Sequence, residues 1–183
     1  MADLQDVINA LRDTANILEK RIPELLVEQE ITAKSLVQDR VQETGKDSKG
    51  GQLGIYSQTK IPAFFFFGKG TKATDSKLKV LSKEGKKISY ADFRKLDGKQ
   101  NKFVDLTFSG QMWRETGLVR KELSKKKAVI VIGQTSQRSE EVAGYMADRY
   151  GNFLELSQEE IDIITEDMAA EVEDIINMNL SGL

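Results

Sequence analysis

The chain has no cysteine and no histidine, and only two prolines and one tryptophan, among its 183 residues. Without Cys there is no disulfide framework, and the thiolates that hold structural zinc or an iron-sulfur cluster are missing. Without His, imidazole acid-base catalysis and the ordinary transition-metal ligand sets are excluded as well. Carboxylates, Lys, Tyr, Ser and Thr remain for chemistry, and a surface Mg²⁺ or Ca²⁺ is the only metal class worth considering. Long hydrophobic runs are lacking too. No stretch approaches the ~18 apolar residues that a membrane span needs, so no membrane partner is expected. The start, MADLQDVINALRD, has no basic region followed by an apolar block, which predicts no secretory signal and a chain that works where it is made.

What is present describes a soluble globular chain, with 39% hydrophobic and 31% charged residues. Its length fits a single domain spanning residues 1–183, with a long loop-rich insertion or arm over 45–102. The net charge of -2 hides an asymmetry. Lys69 to Lys102 holds eleven Lys or Arg against four Asp or Glu, whereas Glu155 to Leu183 holds nine acidic residues and no basic one. Such polarity suits head-to-tail pairing of copies, or presentation of one sign to nucleic acid.

Local patterns predict an α+β fold. Leu4, Ile8, Leu11, Ala15 and Leu18 recur at helical spacing, and a second helical pattern follows Pro23, with a break or slight kink near Ile22 and Pro23. The helical segment ends before Gly45. Residues 45–56 carry four glycines, a grouping that resembles a phosphate cradle but lacks the preceding strand and the Gly-Lys-Ser/Thr ending. Phe103 to Phe108 alternates briefly, as a short strand would. Leu118 to Leu123 and Lys127 to Ile132 read as an antiparallel hairpin, 118–132, turning at SKKK, with AVIVIG the strongest strand signal. A helix over Gln137–Tyr150 is expected, capped by Ser136 and stopped at Gly151. Ser157 and Glu160 form a capping box for an amphipathic C-terminal helix that packs through Ile161, Ile164, Met168, Val172 and Ile175. Acid at its far end, Glu171, Glu173 and Asp174, opposes the helix dipole and points to a solvated or partner-facing surface.

No catalytic constellation stands out. Glu159 with Glu160, and Glu140 with Glu141, are adjacent acids on helices and do not face each other. Ser109, Ser124, Ser136 and Ser157 have no His partner. The expectation is a protein that is not an enzyme and binds no cofactor, with a carboxylate and Mg²⁺ dependent hydrolase as one alternative. Nucleic-acid contact is another. Lys77, Lys79, Lys83, Lys86, Lys87, Arg94 and Lys95, interleaved with Tyr90 and Phe93, have the residue types that touch phosphates and stack on bases.

The stretch KIPAFFFFGKG places four Phe in a row, Phe64, Phe65, Phe66 and Phe67. In a strand they would alternate between faces, so a sheet covered on one side could bury only two. Either the run is a core strand covered on both sides, or it folds against a neighbouring subunit.

The order of elements adds a resemblance. VDLTFSGQMWRETGLV, the hairpin, and RSEEVAGYMADRYGNFLELSQEEIDII followed by an amphipathic helix resemble the tail-completion and head-tail joining (virion morphogenesis, neck) proteins of tailed bacteriophages. Ser109, Gly110, Met112, Trp113 and Arg114 match the family's small-residue turn and following segment. Ala143, Tyr150, Gly151, Phe153, Leu154, Leu156 and Ser157 match its helix, aromatic-Leu pair and capped final helix. The resemblance covers about 105–177. It departs in lacking a His-rich or Gly-Phe tract before the aromatic-Leu pair and in its long 60–102 region.

The resemblance implies a structural virion subunit, made in the host cytoplasm, that forms a sixfold or twelvefold homo-oligomeric ring between the portal or adaptor and the tail. The assembly-interface candidates are Phe64, Phe65, Phe66, Phe67, Trp113 and Arg114. Lys83, Lys86, Lys87, Arg94 and Lys95 are the candidates for a basic surface facing the DNA channel or a partner.

Overall fold

The N-terminal helix α1, Leu4–Asp39, begins at a reciprocal cap. The Asp3 side chain accepts from the Asp6 N–H, and the Asp6 carboxylate accepts from the Asp3 N–H. It passes into a five-residue π-helical turn, Arg40–Thr44, and stops at Gly45, whose φ of 66° is left-handed. A Cβ on Gly45 would overlap the Phe103 ring, so both backbone and packing require glycine there. The computed structural model describes residues 3–107, 110–124 and 127–181.

Pro23 does not break the helix, which removes the new start and leaves, of the two readings, the one without a full break. An interior proline forfeits a backbone hydrogen bond and costs about 3 kcal/mol. Contacts on both sides of it to α6, Gln158–Leu180, hold the helix together. Arg21 bonds Glu171, Gln29 bonds Asp167 and Arg40 bonds Glu160. The rising order in α1 meets falling order in α6, so the two helices run antiparallel.

The loop-rich tract carries short pieces of strand and helix. Strand β1, Ile61–Pro62, pairs antiparallel with β2, Lys87–Ile88. Between them lie a 3₁₀ turn, Ala63–Phe66, and helix α2, Lys72–Lys83; helix α3, Tyr90–Leu96, follows. Ala63, Phe66, Leu78, Ile88 and Phe93 form a core for this module. Asp97 locks its open end, accepting from Thr71 N and Thr74 Oγ1 at 2.8 Å each and from Lys99 Nζ at 2.8 Å. Burial would push the Asp97 carboxyl up, but these donors outweigh it and bring it down to about 2.

The expected strand at 103–108 is absent over its described part. Leu106 adopts φ 51°, which turns the chain out of extended geometry, and Phe108 lies outside the described residues. A four-residue helix, α4, Gln111–Arg114, leads into strand β3, Thr116–Ser124, which pairs with β4, Lys127–Gln134. The hairpin is two residues longer at its base than the pattern predicts, and it carries a bulge between Leu118 and Arg120. Of the predicted turn, Lys125 and Lys126 lie outside the described residues, as does Ser109.

A lone two-stranded ribbon is marginal in water. Here α1 supports it, with Glu30 Oε1 accepting the Leu118 N–H at 2.8 Å.

Helix α5, Gln137–Tyr150, starts at Ser136 and ends at Gly151, as its pattern predicts. The Ser157 and Glu160 capping box also forms. Glu160 does more than cap. It is buried and ion-paired to Arg40, whose remaining N–H groups reach the carbonyls of Lys46, Phe153 and Glu155. The main core gathers Val37, Val41, Leu53, Tyr56, Trp113 and Phe153 between α1, α4 and the segment before α6.

Candidate functional site

The four phenylalanines form neither a strand nor a uniform patch. In a 3₁₀ turn, adjacent side chains fan out by a third of a revolution, so one can point inward while its neighbours point outward. Phe66 is 4% exposed and stacks on Phe93 with ring centroids 4.9 Å apart, so it belongs to the core and leaves the candidate interface. Phe64 and Phe65 are 50% and 53% exposed and stack on each other at 4.5 Å. Phe67 is exposed as well. Thus Phe66 anchors the turn while the stacked Phe64–Phe65 pair stands half in solvent as an apolar knob.

The predicted basic residues divide in the same way. Lys83, Lys86, Lys87 and Lys95 are exposed. Lys86 and Lys87 sit at the base of the aromatic turn, where the Ala63 N–H donates to the Lys86 carbonyl and Pro62 pairs with Lys87. The two candidate sets, aromatic and basic, therefore share one module.

Arg94 does not belong to that surface. It is 1% exposed, donates to Asp105 Oδ2 at 2.6 Å and to the carbonyls of Gln100 and Thr107, and lies 4.3 Å over the Tyr56 ring. A guanidinium so fully partnered is structural. Tyr56 Oη donates to Asp105 Oδ1 at 2.6 Å, and burial, reinforced by that carboxylate, raises the phenol well above its ordinary range.

Trp113 is likewise in the core, edge-on to Phe153 at 6.2 Å, and so is not an exposed interface residue; Arg114 is exposed. The spacing did not reveal what Trp113 lines. A groove of about 460 Å³ lies between α1, β4, α6 and residues 154–156, walled by Leu26, Ala33, Ile132, Leu156, Gln29 and Trp113.

Two polar atoms of these wall residues, Trp113 Nε1 and Gln29 Oε1, are buried with no hydrogen-bond partner among the described residues. Each such orphan costs about 1–3 kcal/mol unless something pairs with it. The sequence held one signal for the groove: AVIVI is apolar on both faces of a strand, which calls for cover on both sides.

Ser136, one of the serines without a His partner, bonds a carboxylate instead. Glu115 accepts from Ser136 Oγ, Ser139 Oγ and Gln111 Nε2, which bring its carboxyl down to about 2. Those serines fasten α5 to the start of the hairpin. In the glycine loop, Asp47 Oδ1 accepts the N–H groups of Lys49 and Gly51, so a carboxylate already fills the place a phosphate would take. Among the described residues, no group of three or more acids is arranged to hold a metal, and no helix is long and apolar enough to cross a membrane. No family model, curated protein or solved structure matches the chain.

Proposed function

We propose that the chain is a structural subunit of a bacteriophage head-tail connector, one copy in a ring that joins the portal or adaptor to the tail around the DNA channel. The carrying observation is the Phe64–Phe65 knob, held outward by a Phe66 anchor in the core. Two adjacent aromatics kept half in water lose roughly the transfer energy that burial would return, on the order of 1.5–3 kcal/mol for a full ring, so they suit a surface that is covered on assembly.

The residues that carry the family resemblance also fit together. Met112, Trp113, Ala143 and Phe153 share one buried cluster, with Tyr150, Leu154 and Leu156 packed against it. This supports reading them as one motif. Electron microscopy of the chain co-expressed with portal and tail proteins of its own virion tests the proposal, with a ring expected. A chain that stays monomeric in light scattering at high concentration and makes no ring beside those proteins sinks it.

A second reading, a DNA-binding or packaging accessory protein, draws on the exposure of Lys83, Lys86 and Lys87 near the end of α2 and the start of β2. It predicts duplex binding whose logarithm falls with log salt by about 0.9 per phosphate contacted, and loss of that binding when the three are neutralised.

A further inference from the structure

We propose that the Phe64–Phe65 knob of one copy inserts into the groove between α1, β4 and α6 of the next copy, a head-to-tail contact between subunits. This rests on the assembly reading above and names its interface. Size is the first argument. A cavity of about 150 Å³ accepts one benzene-sized ring, so the groove of about 460 Å³ has room for both rings and part of the turn that carries them.

Charge is the second argument. Lys60 and Lys69 flank the aromatic run in sequence and Lys87 pairs with Pro62 at its base, all three exposed, while the exposed Lys86 lies 4.0 Å from Glu84. Glu155 and Lys34 both line the groove, Asp167 of α6 accepts from Gln29 in its wall, and α6 carries exposed Asp162 and Glu166 with no Lys or Arg along its length, so the acids outnumber the single lysine. A basic knob meeting an acidic rim is attracted and oriented.

The knob belongs to the module of α2 and α3, while the groove belongs to α1, β4 and α6. Two different patches meeting make a heterologous contact, the kind that propagates from copy to copy and closes into a ring when the rotation allows.

Trp113 is the only tryptophan and lines the groove, so its fluorescence reports occupancy directly. A synthetic peptide spanning residues 58–72, titrated into the full chain, should shift Trp113 emission saturably. The same peptide with Phe64→Ser and Phe65→Ser should bind about thirtyfold more weakly or worse, the loss expected on truncating a hot-spot aromatic.

In the full chain, the Phe64→Ser/Phe65→Ser variant keeps its groove, and Leu26→Arg at the groove mouth keeps its knob. Each should fail to self-associate, while their mixture should give a one-to-one heterodimer and nothing larger. Circular dichroism identifies a Leu26→Arg chain that fails to fold, in which case the peptide titration decides.

No emission change with the wild-type peptide, or equal binding by the doubly substituted one, overturns the contact even if rings form. Peptide binding by a chain that never forms a ring leaves the contact standing and removes the connector reading.

Discussion

Arg94 Nη2 lies 2.6 Å from Asp105 Oδ2, with side-chain exposures of 2% and 8%, so one buried ion pair joins helix α3 to the segment leading into α4. Gln100 Nε2 also donates to Asp105 Oδ2, and Tyr56 Oη donates to Oδ1, so the carboxylate has partners on both oxygens. The pair ties the aromatic module to the main core. Removing one partner of such a pair strands the other in the interior. Arg94→Ala should therefore lower stability by about 3–5 kcal/mol in urea denaturation. Lys95→Ala, next in sequence but exposed, should stay within about 0.5 kcal/mol of wild type.

Phe66 and Phe65 should part company in the same experiment. Phe66 is packed on Phe93, and Phe66→Ala should cost about 3–5 kcal/mol through lost burial and the cavity left behind. Phe65→Ser should leave monomer stability nearly unchanged, because its ring is already half in water. Equal losses at both positions would place Phe65 in the core.

Acid should unfasten α5 from the hairpin. The Glu115 carboxyl is held at about 2, below its ordinary value near 4.5, by donors from Ser136, Ser139 and Gln111. A carboxyl depressed on folding contributes stability that is fully present above about 4.5 and is lost as pH falls toward 2. Asp97, also held at about 2, has the same sign over a narrower window, its contribution being fully present above about 3.8 and lost as pH falls toward 2. Glu115→Gln should lower stability at neutral pH and flatten its fall across that acidic range, as followed by denaturant titrations at stepped pH. An unchanged slope would refute the assignment.

Pro23 should be a site where stability can be gained. It lies inside α1 and cannot donate the helical hydrogen bond at that position. Pro23→Ala restores the N–H and a better helix former, and should raise stability by about 1–3 kcal/mol, visible as a higher thermal midpoint. A lower midpoint would mean that the proline ring contributes more through packing than its missing N–H costs.

Much of the element plan was legible in the sequence because it depends on neighbours a few residues apart. Ser136 before Gln137, Gly151 after Tyr150, and the Ser157 and Glu160 box are local devices, and the structure keeps each one. The candidate site was legible only in part. A run of four Phe announces surplus apolar surface, but which ring turns inward depends on Phe93 and Leu78, which a linear pattern does not connect to it. Arg94 is the same case in charge. Beside Lys95 it resembles one more surface cation, and only the arrival of Asp105, Gln100 and Thr107 makes it a core residue. Trp113 and Gln29, 84 positions apart, meet at one groove for which no local rule exists.

By itself the sequence determined the chemistry that is excluded, the caps and ends of α5 and α6, the hairpin, and the segregation of basic middle from acidic end. These follow from composition and from hydrogen bonds or side-chain periods that close within one or two turns of chain. Only the tertiary structure decided that α1 runs unbroken through Pro23, that Phe64 and Phe65 project while Phe66 is buried, and that a groove opens between α1, β4 and α6. Each of those outcomes depends on contacts between segments far apart in the chain, whose energies outweigh the local preferences that the sequence displays.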